Sequence, residues 1–189
     1  GRKLKVKLRE NVTFHNGRTL TSADVIATLD YMFELTGFDD ELNSDVPTAD
    51  RGLYYSTFYS VKSWEATDDY NLVFTLRRAS YGSLYALAFP ILPADEVRNN
   101  MPAGTGPYQY DGYEQGASIW LTANKNWWKK IPAIRNIRAG IYSSDDRALN
   151  AFDTQTVDVA MTRSINASRY SGSLNTFSMT ARTRQLEVL

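Results

Sequence analysis

The chain has 189 residues, and its 21 lysine and arginine residues are balanced by 21 aspartate and glutamate residues. This zero formal charge argues against a dedicated nucleic-acid binder, because neutralising phosphates requires an excess of basic side chains. Cysteine is absent and His15 is the single histidine, which excludes thiolate metal sites and disfavours a histidine-built zinc site. We therefore expect no nucleic-acid partner, no metal and no cofactor.

The chain opens with a predicted strand and a tight turn. Apolar and basic residues alternate over residues 4–8, a pattern typical of a half-buried strand. A second short strand is predicted over residues 12–14. Asn16 and Gly17 follow it and tolerate a positive φ, which indicates a turn at that point.

A helix is predicted after this turn. The hydroxyl of Thr21 or Ser22 can cap its first turn, where Asp24 also interacts favourably with the helix dipole. The buried stripe is expected to comprise Val25, Ile26, Leu29, Met32 and Phe33. Gly37 is the predicted end of the helix, and residues 38–51 are polar and acidic enough to form a surface loop.

The middle of the chain combines an aromatic segment with a hairpin. Residues 53–59 are rich in tyrosine and phenylalanine, and their periodicity fits neither a helix nor a strand clearly. Strands are predicted over residues 61–66 and 72–76, because turn-forming residues separate the two apolar runs. A short apolar helix is expected over residues 83–89, before Pro90.

The second half of the sequence alternates predicted strands and helices. Three strands are expected, at residues 108–113, 118–122 and 134–142. The elements after them are predicted as a helix at 145–152 capped by Ser144, a strand at 157–161, a polar helix at 165–170 and a strand-like stretch at 177–189. Both ends of the chain lie within strand-like sequence, from which we expect a fragment of a larger fold.

His15 is the one candidate for acid–base catalysis, and a structural role is favoured for it. It precedes a turn, where an imidazole commonly bonds a loop carbonyl, and the sequence offers no nucleophile and orienting acid converging on it. The adjacent aspartate pairs fall at turns and helix starts, where solvation and capping explain them. We therefore expect no enzymatic activity, and a hydrolase built on His15 is a minor alternative.

Two sets of residues are candidates for ligand binding. If the aromatic segment is helical, Tyr55 and Tyr59 share one face and Tyr54 and Phe58 share another, and such clusters form either core or the wall of a ligand site. Near the end of the chain, Arg182 and Arg184 alternate along a predicted strand and so lie on one side of it. Facing a cleft, their guanidinium groups suit carboxylates and carbonyls.

Five motifs in a fixed order resemble those of the family 5 extracellular solute-binding proteins. They are the segments 8–25, 64–76, 104–108, 124–132 and 157–160. The first contains Phe14-His15-Asn16-Gly17 and the third is Gly104-Thr105-Gly106-Pro107-Tyr108, which is similar to the family's GTGPY segment. Each motif is weak by itself, but their order over nearly the whole chain makes the resemblance specific.

The resemblance implies a mixed α/β (α+β) lobe of the type II periplasmic-binding-protein kind, truncated, with a mixed sheet and flanking helices. It also implies a non-catalytic receptor for oligopeptides or dipeptides outside the cytoplasmic membrane, in the periplasm or as a cell-surface lipoprotein held only by a lipid anchor. Such a receptor delivers its ligand to the permease subunits of an ABC importer. Two lobes close around the ligand, which contacts both.

The resemblance further implies a division of the chain and a set of site residues. Residues 1–103 would form the helix-rich and hairpin part of the first lobe, and residues 104–189 the sheet part leading to the hinge, with the second lobe absent. The residues carried over to the cleft are Tyr54, Tyr55, Arg182, Arg184 and Gln185. Since one lobe supplies only part of the contacts, we expect the chain alone to bind peptide with millimolar affinity or not at all.

Two other ligand classes stay open. Some members of the family bind nickel complexes or other small solutes, although a single histidine makes direct nickel ligation poor. An alternative of another class is a carbohydrate-binding or adhesion module that uses exposed tryptophans at positions 120, 127 and 128. Peptide binding is the favoured interpretation.

Overall fold

The structure is a computed structural model of the chain. It describes residues 1–36, 38, 54–162 and 165–170. The chain divides into two compact units: residues 1–111 with 120–137, and residues 112–119 with 138–189. The boundaries of these units differ from those of the predicted parts, 1–103 and 104–189. The assignment of those parts to a first lobe and its hinge stays a prediction.

A three-stranded antiparallel sheet lies at the centre of the first unit. Its strands are β1 (Lys3–Lys7), β2 (Val61–Asp68) and β3 (Asn71–Leu76), with β3 in the middle. The hairpin and first strand predicted from the sequence are confirmed. Along β3 the apolar residues alternate into the core, so that Leu72, Phe74 and Leu76 are buried.

The turn of the β2–β3 hairpin is held by one carboxylate. Oδ1 of Asp68 accepts hydrogen bonds from the Tyr70 amide and from Nδ2 of Asn71, both at 2.9 Å. These bonds stabilise the charged form and lower the pKa of Asp68, with the Tyr70 amide contributing most. The exposed turn is therefore ordered by local bonds instead of by burial.

The helix α1 (Ser22–Thr36) covers the sheet, as the sequence predicted. Of the expected stripe, Val25, Leu29 and Met32 are buried. Phe33 is 40% exposed, yet its ring contacts that of Phe58 at 5.2 Å between centroids. Gly37, the predicted end of the helix, lies outside the described residues, as do residues 39–51 of the predicted loop.

The residues before α1 form a turn with a single bridge, and the strand predicted at residues 12–14 is wrong. Only Thr13 bridges, to Thr19, while Gly17 has a φ of 88° and donates its amide to the carbonyl of Phe14 at 2.9 Å. The alternation of residues 12–14 arises because Val12 and Phe14 are buried in a small separate core.

Asp24 is fully buried at the start of α1 and joins three segments. Oδ2 accepts from the Thr21 amide at 2.8 Å, which is one of the two bonds of a capping box, and Oδ1 accepts from the Ala94 amide at 2.8 Å. Arg18 forms ion pairs with both Asp24 and Asp95. This carboxylate therefore fixes the helix start, the preceding turn and the segment after Pro93 with respect to one another.

The aromatic segment forms a short helix, α2 (Tyr55–Ser60), that packs against β2 and against a 3₁₀ helix, Tyr81–Leu87. The predicted pairing of faces is wrong. Tyr54 precedes the helix and so shares no helical face with Phe58; the buried pair is Tyr55 and Phe58, three residues apart, while Tyr59 is 53% exposed. The predicted helix at 83–89 is the 3₁₀ helix, which begins two residues earlier.

A second three-stranded sheet contains β4 (Tyr108–Glu114), β5 (Ser118–Ala123) and β6 (Asn136–Gly140), with β5 in the middle. All three strands were predicted, although β6 is shorter than the expected 134–142. Gly116, with a φ of 71°, lies in the turn between β4 and β5. In the second unit the Arg138 guanidinium donates from Nε to Oγ of buried Ser118 at 3.1 Å.

The rest of the second unit contains α3 (Asp145–Asp153) and a 3₁₀ helix, Ile165–Tyr170, both in predicted places. Oγ of Ser144 accepts from the Arg147 amide at 3.3 Å, which confirms the predicted cap. The strand predicted at 157–161 is wrong: Val159 and Met161 are 78% and 89% exposed, and no strand of the described chain pairs with them. The stretch at 177–189 lies outside the described residues.

No helix in the described segments is both long and apolar enough to cross a bilayer.

Candidate functional site

Tyr54 lies at the start of α2 in a backbone conformation that residues other than glycine rarely adopt. Its φ of 72° and ψ of 4° are left-handed, and its carbonyl accepts the first turn's bond from the Thr57 amide at 2.8 Å. A bulky L-residue in this region is strained, since its Cβ approaches the backbone, and such strain concentrates at functional sites. Tyr54 is therefore a candidate for more than packing.

The Tyr54 side chain borders an open groove of about 390 Å³ in the first unit. We call this the Tyr54 groove; its walls include Tyr31, Met32, Leu35, Tyr54, Pro90 and Leu92. The walls are mainly apolar and carry the phenol groups of two tyrosines. A groove of this size holds one side chain or a small solute, and its chemistry favours apolar or aromatic groups.

One wall of the groove is buttressed by charge. The Arg98 guanidinium lies 5.1 Å from the ring centroid of Tyr31 and donates from Nη2 to Oε2 of Glu34 at 2.5 Å. That hydrogen bond raises the pKa of Arg98, which stays fully protonated. The cation therefore orders the aromatic wall while its charge is already paired.

Tyr55, the neighbouring candidate, is only 5% exposed. Its ring packs against that of Phe38 at 5.2 Å between centroids, inside the core beneath α1. This position gives Tyr55 a structural role, and its role in binding stays a prediction. Arg182, Arg184 and Gln185 lie outside the described residues, so the structure brings only Tyr54 of the five candidates to a groove.

His15 holds a loop, which confirms its predicted structural role. Its Nε2 lies 3.0 Å from the carbonyl oxygen of Gly106, and its amide donates to the Gly104 carbonyl at 2.8 Å. Nδ2 of buried Asn124 donates to the same Gly106 oxygen at 3.2 Å. A Cβ on Gly104 would lie 3.4 Å from the imidazole, so this segment packs directly against the His15 ring.

The tryptophans that a sugar-binding module would use, at positions 120, 127 and 128, are half-buried, so the expectation that they are exposed is wrong. Trp128 packs beside the small core around Phe14, and both the Arg9 guanidinium and the Lys129 ammonium lie over its ring, at 4.8 and 4.7 Å. Trp127 is half-buried and contacts Trp128 at 5.8 Å. These contacts fit the packing role that the sequence favoured for this pair.

Within the described ranges, no three histidine, aspartate or glutamate side chains come together as metal ligands.

The sequence interpretation missed an exposed aromatic surface on the first 3₁₀ helix. Tyr81 and Tyr85 are 93% and 86% exposed, and Leu84 between them is 52% exposed. The sequence predicted a short apolar helix over residues 83–89 and gave no indication of which of its side chains would be exposed. In a 3₁₀ helix of about three residues per turn, Tyr81 and Leu84 share one face.

Comparison with known proteins identifies the family. The chain matches the model described as "Bacterial extracellular solute-binding proteins, family 5 Middle" over residues 1–183, and it belongs to that family. The family is one of solute-binding proteins and not of enzymes, and the resemblance noted in the sequence is confirmed.

Individual relatives are distant and much longer. Protein XP55 of Streptomyces lividans is 27% identical over 155 residues, which are 77% of this chain and 26% of XP55. The oligopeptide-binding protein AppA of Bacillus subtilis is 28% identical over 148 residues, 70% of this chain and 25% of AppA. The chain thus spans about a quarter of the length of these curated relatives.

Solved structures agree on the fold. NikZ from Campylobacter jejuni, in complex with Ni(L-His), superposes with a TM-score of 0.74 at 18% identity, over 93% of this chain and 35% of NikZ. At that identity the likeness shows the fold alone. It confirms the predicted mixed α/β architecture of a periplasmic-binding-protein-like lobe.

Proposed function

We propose that this chain serves as the first lobe of a substrate-binding protein of an ABC importer, which binds oligopeptides or dipeptides outside the cytoplasmic membrane and delivers them to the permease. In this proposal the lobe forms one wall of the cleft and carries out no chemistry on the ligand. A lipid anchor on the full protein would be its only link to the membrane.

The observation that carries the proposal is the strained tyrosine at the edge of the groove. Tyr54 is held in a left-handed conformation where its phenol borders a groove with apolar walls, and it occupies the position that the family resemblance assigned to the cleft. An extended peptide has a polar backbone and side chains of varied size. A wall that offers both ring surface and hydroxyl groups can accept many of them.

Family relationships support the peptide class. AppA of B. subtilis is named an oligopeptide-binding protein, and two further relatives, from Pseudomonas aeruginosa, are named di/tripeptide-binding proteins. The nickel-binding alternative has the support of names such as NikA of Staphylococcus aureus. In this chain Tyr54 and the groove walls offer no imidazole, which favours peptides over a nickel complex bound through histidine.

An NMR titration of the chain tests the proposal. The probes are the tetrapeptide Ala-Phe-Ala-Ala, maltotetraose and a Ni²⁺–histidine complex, each added up to tens of millimolar. We expect the peptide to shift resonances of Tyr54 and its groove with a Kd in the millimolar range, about 4 kcal/mol of binding free energy. A saturable shift only with the sugar or the nickel complex, or peptide shifts that avoid the Tyr54 groove, would contradict the proposal.

A further inference from the structure

The exposed residues of the first 3₁₀ helix lie on a rigid base next to the candidate site. Ser80 caps the helix by accepting the Gly82 amide at 3.2 Å, and Ser83 is buried. Arg77 lies just before this 3₁₀ helix. Its backbone amide donates to the Ser60 carbonyl at 2.9 Å, and its side-chain Nε donates to the Phe58 carbonyl at 2.8 Å. The helix is thereby tied to the end of α2, the helix that Tyr54 precedes.

This surface is aromatic, and a cationic residue, Arg78, precedes it by three positions in the sequence. Tyr81 and Tyr85 are almost fully exposed, Leu84 is half exposed, and Tyr59 on neighbouring α2 is 53% exposed. Arg78 is also exposed, and none of the ion pairs in the described part of the chain includes it. Arginine is the residue best shaped to bind a carboxylate through two parallel hydrogen bonds.

The size of the surface indicates what occupies it. Two exposed tyrosines and two half-exposed neighbours present about 500 Å². A stable interface between two proteins buries about 800 Å² on each partner, so a second copy of this chain finds too little area here. A short peptide can cover an area of this size. A free carboxylate on the peptide complements the positive charge of Arg78.

We propose that Tyr81, Leu84 and Tyr85, together with Arg78, form a second contact surface that selects peptides with a free carboxylate next to an apolar or aromatic side chain. This inference rests on the proposed function and adds to it a determinant of specificity. The tyrosine rings cover the apolar side chain, and the guanidinium binds the carboxylate.

A pair of peptides that differ only in charge tests the proposal. Ala-Ala-Phe with a free C-terminus is compared with its C-terminal amide in NMR titrations of the chain. We expect the free acid to bind up to about fivefold more tightly, the upper end of the range of about 1.4-fold to fivefold for an exposed ion pair. Arg78→Gln is expected to abolish this preference while it leaves the affinity for the amide unchanged.

Aromatic variants test the apolar half. Tyr81→Ala and Tyr85→Ala are each expected to weaken binding of both peptides about threefold to tenfold, since each removes one ring contact. Tyr110→Ala and Arg135→Gln serve as matched controls, because both residues are exposed and lie away from this helix in sequence. The controls are expected to retain the wild-type affinities and the wild-type preference.

The outcomes separate this proposal from the function on which it rests. Wild-type binding of Ala-Ala-Phe that is indifferent to Arg78→Gln, Tyr81→Ala and Tyr85→Ala overturns the second surface alone. Binding of maltotetraose or of the Ni²⁺–histidine complex by the wild-type chain, with no binding of either peptide, overturns the proposed function and the second surface with it. Equal affinity for the acid and the amide contradicts the assignment of Arg78.

Discussion

Removal of the Asp24 carboxylate is expected to destabilise the first unit more than removal of any exposed acidic group. The side chain has no exposed surface, and Asp24→Ala leaves the Ala94 amide without its acceptor at 2.8 Å. An unsatisfied buried donor costs about 1–3 kcal/mol, and loss of the capping carboxylate costs about 1 kcal/mol more. Arg18 keeps Asp95 as a second partner, so the cost of an unpaired charge is reduced.

We therefore expect Asp24→Ala to lower the free energy of unfolding by about 3 kcal/mol. Urea denaturation followed by tryptophan fluorescence measures this change, and hydrogen exchange of the Ala94 amide reports the local loss. Asp24→Asn retains one acceptor oxygen and is expected to cost about half as much.

Asp95→Ala is the matched control. Its side chain is 63% exposed, and it pairs with the same arginine. Loss of such a surface pair costs about 0.5 kcal/mol. We assign to Asp24 the role of connecting three segments through its hydrogen bonds and ion pair. Two results would refute this role: equal destabilisation by Asp24→Ala and Asp95→Ala, or an unchanged exchange rate of the Ala94 amide in Asp24→Ala.

Three further predictions follow from single side chains. His15→Ala removes the contact with the Gly106 carbonyl and is expected to cost about 1 kcal/mol in urea denaturation without loss of peptide binding; abolished binding would contradict a purely structural role. Tyr54→Gly relieves the left-handed strain, so thermal stability is expected to be unchanged or higher while the peptide-induced shifts are lost, and Tyr54→Phe should retain most of them. The Tyr70 amide lowers the pKa of Asp68, so the ionised carboxylate stabilises the folded state above about pH 4, and this stabilisation is lost as pH falls through the folded pKa. Asp68→Ala should therefore lower the free energy of unfolding less at about pH 2.5 than at about pH 7. Equal effects at the two pH values would contradict the assignment.

Secondary-structure elements that depend on neighbouring residues were predicted correctly from the sequence. The alternation of β1, the turn-forming residues between β2 and β3 and the cap at Ser144 each act over a few residues, so the sequence carries the whole signal. The order of family motifs predicted the fold class as well, because it reports on the entire chain. The contact of His15 with a loop carbonyl was predicted from its place beside a turn.

The failures share a physical cause, which is dependence on distant partners. Residues 157–161 are β-branched and apolar, but a strand needs a neighbour, and the described chain supplies none. Residues 12–14 alternate because two side chains enter a small core. Tyr81 and Tyr85 are exposed because no other element of the described chain covers the outer side of their 3₁₀ helix, which the residues of that segment alone do not indicate.

The central claim is that this lobe holds a peptide and does not alter it. One NMR titration of the chain with Ala-Phe-Ala-Ala, in which the resonances of Tyr54 and those of the peptide are followed in the same sample, tests the claim most directly. The account predicts saturable shifts at Tyr54 with a millimolar Kd and a peptide spectrum that stays that of the intact tetrapeptide for days. Shifts that avoid the Tyr54 groove, or the appearance of cleavage products, would contradict it.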